Sequence, residues 1–241
     1  MSDVSTHSTL PTSLVAYYEL EEASGSRADS KGSNTLTDNN TVTSATGKQG
    51  DAAVMVIANS EYLSTTTMWH TAKVSVSYSV WVKFTSTSVT EQTILTVGRG
   101  TSAVGADRGH SLILNGQGKT DGTVSILDHA IAWHHSTKKI TDTNWHHIAV
   151  TVDSSSISRV YLDNAAAWVD GVALSGTPTS SGCALGFEQG TARRFGGTMD
   201  EVGIWTKTLT SGEVSDLWAG GAGLPYSSGG ATNTTNFFYM T

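Results

Sequence analysis

Carboxylates and histidines are the reactive side chains of this 241-residue chain, and their spacing decides what they can do together. Retaining glycoside hydrolysis needs two carboxyl groups about 5–5.5 Å apart. Carboxylates at i and i+4 on one strand share a face and meet that need, but the sequence has no Glu-x-Asp-x-Glu strand. Asp200 and Glu201 are adjacent, so on a regular strand they face opposite ways. Glu19, Glu21 and Glu22 fall at the end of a predicted strand, where carboxylates stabilise turns. The chain is therefore expected to lack catalytic residues. His129, His134, His135, His146 and His147 fall within nineteen residues, and imidazole is a common transition-metal ligand. Neighbouring strand residues diverge, however, so at most one histidine of each adjacent pair can join a shared site. The single cysteine, Cys183, excludes an internal disulfide and a cysteine-based zinc site. For sugar recognition the candidate stacking rings are Trp133 and Trp168, in the least regular part of the chain.

The elements that carry these residues read as strands. Ser and Thr number 66, while charged residues make up only 15 %, a composition that disfavours helix interiors. Residues 73–84, KVSVSYSVWVKF, alternate strictly and place Val74, Val76, Tyr78, Val80, Val82 and Phe84 on one face. Further strands are predicted at 14–20, 52–58, 93–97, 111–114, 123–127, 146–152, 159–162, 184–187 and 198–205, separated by Gly, Asn, Asp and Ser turns. One helix is predicted over 210–218, with Thr210 and Glu213 at capping-box spacing and Gly220 and Gly221 as a stop. Net charge is −7, so no broad basic surface is expected for nucleic acid or an anionic membrane. No apolar run approaches the ~18–20 residues that span a bilayer, and the first residues lack the pattern of a secretory signal.

Four segments in order, YYELEEASG, VSYSVWVKF, NWHHIAVTVD with VYLDN, and FGGTMDEVGIWTKTLTSGEVSDLW, resemble the laminin-G-like branch of the concanavalin A-like lectin/glucanase superfamily. The resemblance implies an all-β jelly-roll sandwich of two antiparallel sheets with one short C-terminal helix. It implies a domain over 14–226, an N-terminal arm over 1–13 and a C-terminal arm over 227–241. Where relatives have Asp-Gly after the Tyr strand, this chain has Asp163-Asn164, followed by Asp170-Gly171, which leaves the register of the following strand open. The resemblance also points to a structural calcium at the sandwich edge, with Asp200 the best ligand and Glu22, Asp29 and Asp51 next. The alternative is that these carboxylates cap turns. No cofactor is required.

Laminin-G-like proteins of bacteriophages resemble this chain in their Ser/Thr/Gly-rich strands and in the ending LWAGGAGLPY. That resemblance implies a non-enzymatic virion structural protein, a capsid decoration or cement protein made in host cytoplasm. Its partners would be further copies of itself or the major capsid protein. Phe237, Phe238, Tyr239 and Met240 are the expected assembly contacts, four apolar residues beyond a flexible stretch. The alternative expectation is a carbohydrate-binding tail or receptor-binding module with a glycan partner.

Overall fold

In the computed structural model, residues 3–99, 108–168, 174, 176–178, 182–188 and 193–227 are described. Among them, in chain order, are strands β1 (Leu14–Tyr18), β2 (Thr37–Asn39), β3 (Thr43–Thr46), β4 (Asp51–Met55) and β5 (Tyr62–Thr65). They continue as β6 (Val76–Phe84), β7 (Gln92–Val97), β8 (His110–Leu114), β9 (Thr123–Asp128) and β10 (Ala132–Lys139). The last five are β11 (His146–Val152), β12 (Ser158–Leu162), β13 (Ala165–Trp168), β14 (Cys183–Leu185) and β15 (Gly197–Trp205), followed by helix α1 (Ser211–Trp218).

The strands form two antiparallel sheets. The first runs β13-β12-β11-β6-β15-β4-β3, with β1 also on β15, and the second runs β10-β9-β8-β7-β14-β5-β2. The expected jelly-roll sandwich and its single short C-terminal helix are both present. Alternation sets which residues lie between the sheets. Val76, Tyr78, Val80, Val82 and Phe84 of β6 face Leu95, Val97, Leu112, Leu114, Val124 and Ile126 of the second sheet in one continuous core. Strands β2, β3, β5, β10 and β13 go beyond the sequence reading, because they are short or polar and alternate weakly. The Asp163-Asn164 pair is a two-residue hairpin turn with both residues left-handed, φ 50° and 65°, and it sets Leu162 opposite Ala165.

Helix α1 starts at the predicted capping box. Thr210 Oγ1 accepts from the Glu213 amide at 3.2 Å, and Glu213 Oε2 accepts from the Thr210 amide at 2.9 Å. The helix ends one residue before the predicted glycines, on Ala219 in the left-handed region. Val214 and Leu217 pack with Leu14, Tyr17, Ala149, Tyr161 and Trp205 in a second apolar cluster on the outer face of the first sheet.

The N-terminal segment is part of that cluster instead of a detached arm. Val4 and Leu10 are fully buried in it, the Val4 and Ser5 amides donate to Pro225 and Tyr226, and Trp205 Nε1 donates to the Leu10 carbonyl at 2.7 Å. The polar composition of residues 1–13 concealed this, because only two apolar side chains carry the docking. Replacement of Leu10 by Ala should therefore lower stability by about 2–5 kcal/mol in urea unfolding. Replacement of the exposed Val56 by Ser should stay within about 0.5 kcal/mol.

Candidate functional site

Two regions gather polar side chains, and they differ in how far those side chains are already committed. The first is the edge of the first sheet. Along one side of β15, β4 pairs with residues 197–199 and β1 pairs with residues 202–205, so the partner changes at Asp200 and Glu201. A bulge occupies the change, with Glu201 in the left-handed region at φ 49°. Met199 and Val202 both enter the core, which leaves Asp200 and Glu201 together on the outer face. The sequence expectation that these neighbours face opposite ways fails here, because the bulge breaks the two-residue period.

Asp200 is fully buried and its oxygens are engaged. Oδ2 accepts from the amides of Lys48 at 2.7 Å and Gln49 at 2.9 Å, and Oδ1 accepts from the Glu201 amide at 2.8 Å. Burial pushes its carboxyl up to about 8, against the pull of those three donors. Glu201, also buried, accepts from the Tyr17 hydroxyl at 2.5 Å, and burial raises its carboxyl as well. Beside the pair lies a cleft of about 340 Å³ lined by Glu19, Glu21, Glu22, Ala28 and Ser30.

The four residues predicted as calcium ligands are spread along this edge. Asp29 accepts from the amides of Tyr17, Lys31 and Asn34, and Glu22 Oε1 accepts from the Ala28 amide at 2.6 Å. Asp51 contributes its amide to Glu21 Oε2 at 2.9 Å. Among the described residues no three His, Cys, Asp or Glu side chains form a metal-binding group. Asp200, Asp29 and Glu22 are seen capping turns.

The histidines disperse. His146 lies between Asp163 at 2.7 Å and Asp142 at 3.0 Å, which raises its imidazole, while His147 is buried against Trp81 and Ser79. His134 shares a face with the core residue Ile126, and His135 lies opposite Ser125 on the outside. Each adjacent pair diverges as alternation requires.

The second region is the outer face of the second sheet. Its cross-strand register aligns Ser64, Ala184, Thr96, Ser111, Leu127 and Trp133 in one row across six strands. A neighbouring row holds Thr93, Ile113, Ser125 and His135. Small and hydroxyl residues thus form a floor, and longer side chains cover it. Glu188, its side chain 1 % exposed, accepts from Arg193 Nη1 at 3.1 Å, with Arg99 at 3.8 Å and His129 Nδ1 at 3.4 Å. Arg193 Nε also donates to Glu91 at 2.9 Å.

His129 Nε2 lies 2.9 Å from Ser111 Oγ, so Ser111, His129 and Glu188 stand in the order of a nucleophile, base and acid. Ser111 and His129 are fully buried, and burial drops the imidazole to about 3, so the trio fixes cover to floor without presenting a nucleophile. At one side Trp133 is half-buried, with the Arg193 guanidinium 5.0 Å from its ring and His135 nearly parallel at 6.4 Å. Gly116 makes that fit possible, since a Cβ there would approach the indole to 2.4 Å. His135 is held between Ser125 Oγ at 2.9 Å and Gln117 Oε1 at 3.0 Å. At the other side Arg194 stacks on Phe187 and Tyr62.

Of the predicted sugar platforms, Trp133 lies on this face, and the Trp168 side chain lies outside what is described. Phe237, Phe238, Tyr239 and Met240 also lie outside the described residues. Arg193, Arg194 and Glu188 had no motif to mark them. The signal for the floor was the serine and threonine alternation, readable only once the strands were placed in order.

Residues 57–215 match the family profile of the concanavalin A-like lectin/glucanases superfamily. No curated protein matches the sequence. Among solved structures, domain 4 of AbnA, a GH43 extracellular arabinanase from Geobacillus stearothermophilus solved in complex with arabinotriose, is 24 % identical with a TM-score of 0.66, over 84 % of this chain and 97 % of that one. The binding domain of Paraclostridial Mosquitocidal Protein 1 is 15 % identical with a TM-score of 0.65, over 87 % of this chain and 52 % of that one. The receptor binding domain of botulinum neurotoxin type G is 11 % identical with a TM-score of 0.62, over 86 % and 51 %. This chain spans about half the length of the two toxin domains, and at these identities the likeness is one of fold.

The buried titratable groups set opposite limits on stability. His70, His110 and His147 are lowered to about 4 and His129 to about 3 by burial, so below the unfolded histidine value of ~6.5 the unfolded chain takes up more protons and stability falls. Asp200 and Glu201 are raised, so from the unfolded carboxylate value of ~4 upward the folded chain keeps protons the unfolded chain releases; the four histidines outweigh this loss below ~6.5, and above it stability falls as pH climbs toward about 8. The melting temperature should therefore peak near pH ~6.5–7 and decline on both sides. Glu201→Gln should flatten the alkaline decline and steepen the rise between pH ~4.5 and ~6.5, where the carboxyl opposes the histidines; a melting temperature independent of pH would contradict this account.

Proposed function

We propose, from the premise that the chain belongs to the concanavalin A-like lectin/glucanases superfamily, that it is a non-catalytic carbohydrate-binding module. The observation that carries the reading is the outer face of the second sheet. There a floor of Ser and Thr lies under a fixed cover of arginine, carboxylate and imidazole, bounded by Trp133 and His135 at one side and by Tyr62 and Phe187 at the other. Sugars present polar hydroxyls around apolar ring faces. A surface that sets the half-exposed rings of Trp133, His135 and Tyr62 beside forked donors and acceptors is matched to both. The arabinanase domain in complex with arabinotriose supports the reading through its fold.

The edge of the first sheet is a weaker candidate. Asp200 and Glu201 have the raised carboxyls of catalytic acids, but Asp200 is bound to three amides and Glu201 to Tyr17, so neither is poised for a glycosidic oxygen or a water. The virion decoration reading rested on the four apolar residues near the C-terminus and on phage resemblance. None of the relatives named above is a virion protein, and the binding-module reading, the alternative, is the one they favour.

Titration of the full chain against an array of poly- and oligosaccharides should give saturable binding of at least one glycan. Trp133→Ala, in protein shown to remain folded by circular dichroism, should weaken that binding by about tenfold or more. Incubation with the same glycans should release no reducing ends. Absence of saturable binding across the array would overturn the proposal.

A further inference from the structure

The chain carries a net charge of −7, yet four of its six arginines contact this face or its rim: Arg99 and Arg193 at Glu188, Arg108 at the Ala130 carbonyl and Arg194 at Phe187. The carboxylates nearby are engaged. Glu91 and Glu188 pair with Arg193, Asp128 accepts from the Gly176 amide, and Glu61 accepts from the Val56 amide and Asn59 Nδ2. Arg194 differs from Arg193 in having no carboxylate within 4 Å among the described residues. Its guanidinium instead lies 4.1 Å from the Phe187 ring and 5.3 Å from Tyr62, two rings that are themselves 4.4 Å apart. One Nη1 contact, to the Ser60 carbonyl at 3.5 Å, is the hydrogen bond its side chain makes.

A guanidinium held over two aromatic rings loses much of its rotational freedom before any ligand arrives, and apart from the Ser60 contact its planar fork of donors is uncommitted. Such a fork matches two oxygens of one anionic group, and two parallel charge-assisted hydrogen bonds are its strongest available contact. A neutral hydroxyl would leave most of that capacity unused. The half-buried position of Arg194 also limits screening of its charge by salt relative to a fully exposed side chain.

Resting on the carbohydrate-binding reading above, we propose that the glycan bound on this face is acidic, and that Arg194, held on Phe187 and Tyr62, takes the anionic group of the sugar, a carboxylate or a sulfate ester. Trp133 and His135 would hold a neighbouring part of the same chain at the opposite side of the face.

The test compares the full chain with polygalacturonate and its fully methyl-esterified form, and with dextran sulfate and dextran, by calorimetry at two salt concentrations. The acidic member of one pair should bind at least about tenfold more tightly, and the pair that shows this identifies carboxylate or sulfate. Arg194→Gln should abolish the preference, and Arg194→Lys, which keeps the charge and the aliphatic stem, should retain only part of it. Arg159→Gln, on β12 of the other sheet, should leave it unchanged. Equal binding of acidic and neutral forms, no effect of Arg194→Gln, or an equal effect of Arg159→Gln would overturn this inference while the binding-module reading stands. Failure to bind any of the four polymers or any arrayed glycan would overturn both.

Discussion

The carboxylate of Asp200 holds together the place where the first sheet changes partners. Strand β15 is longer than β4 or β1, so these two must meet end to end along the edge that β6 does not occupy. At such a junction the backbone donors of the incoming turn have no ladder to join. Asp200 supplies acceptors for two of them, from Lys48 and Gln49, and for the Glu201 amide of its own bulge. The close approach also dictates Gly47, where a Cβ would lie 2.6 Å from Asp200 Oδ2. From the anchored turn, Gln49 Nε2 reaches the carbonyls of Ala222 and Gly223, and Lys48 lies over Trp81. The segment that follows α1 is thereby tied to the same point, and the N-terminal residues are tied to that segment through Pro225 and Tyr226.

That constraint makes the two outer faces of the sandwich unlike each other. The first sheet's outer face is covered by α1, by Val4 and Leu10, and by Tyr17 with Trp205, an apolar arrangement that stabilises by burial. The second sheet's outer face carries no such layer among the described residues. Its cover is ionic and aromatic, built from Glu188, Arg193, His129 and Trp133. Buried ion pairs contribute little net stability, because desolvation offsets their attraction, but they hold side chains in defined positions. A face assembled this way spends burial on geometry, as a recognition surface requires.

Much of the fold was legible because its signals were local. The period of two in residues 76–84, the capping box at Thr210 and Glu213, and the left-handed tolerance of Asp163-Asn164 each depend on a few neighbouring residues. The junction at Asp200 was not legible for the converse reason. A bulge with a glutamate in the left-handed region has no sequence marker, and the reading that neighbours diverge is correct wherever the strand is regular. The N-terminal segment misled through composition, since eleven residues of mostly polar character hide two that are fully buried. Tryptophans divide similarly, with no local signal to separate them: Trp81 and Trp205 are buried, Trp145 and Trp218 half-buried, and buried Trp69 donates a hydrogen bond to Tyr18.

The paired arginines 193 and 194 show why function was harder to read than fold. They are adjacent in the chain but do different work. Arg193 is paired with Glu91 and Glu188 and stiffens the cover, whereas Arg194 has no carboxylate partner among the described residues and rests on aromatic rings. Neither role follows from an Arg-Arg dipeptide. Both follow from strand order, which brings β14 and β5 beside one another and sets Tyr62 against Phe187. The same order removes the first sheet's edge from contention, because there the strongly raised carboxyls are already bound to amides and a phenol. Chemistry requires a tuned group with freedom to react, and recognition requires a fixed group with capacity to bind. The edge has tuned groups without freedom, and the face around Arg194 has fixed groups with donors to spare.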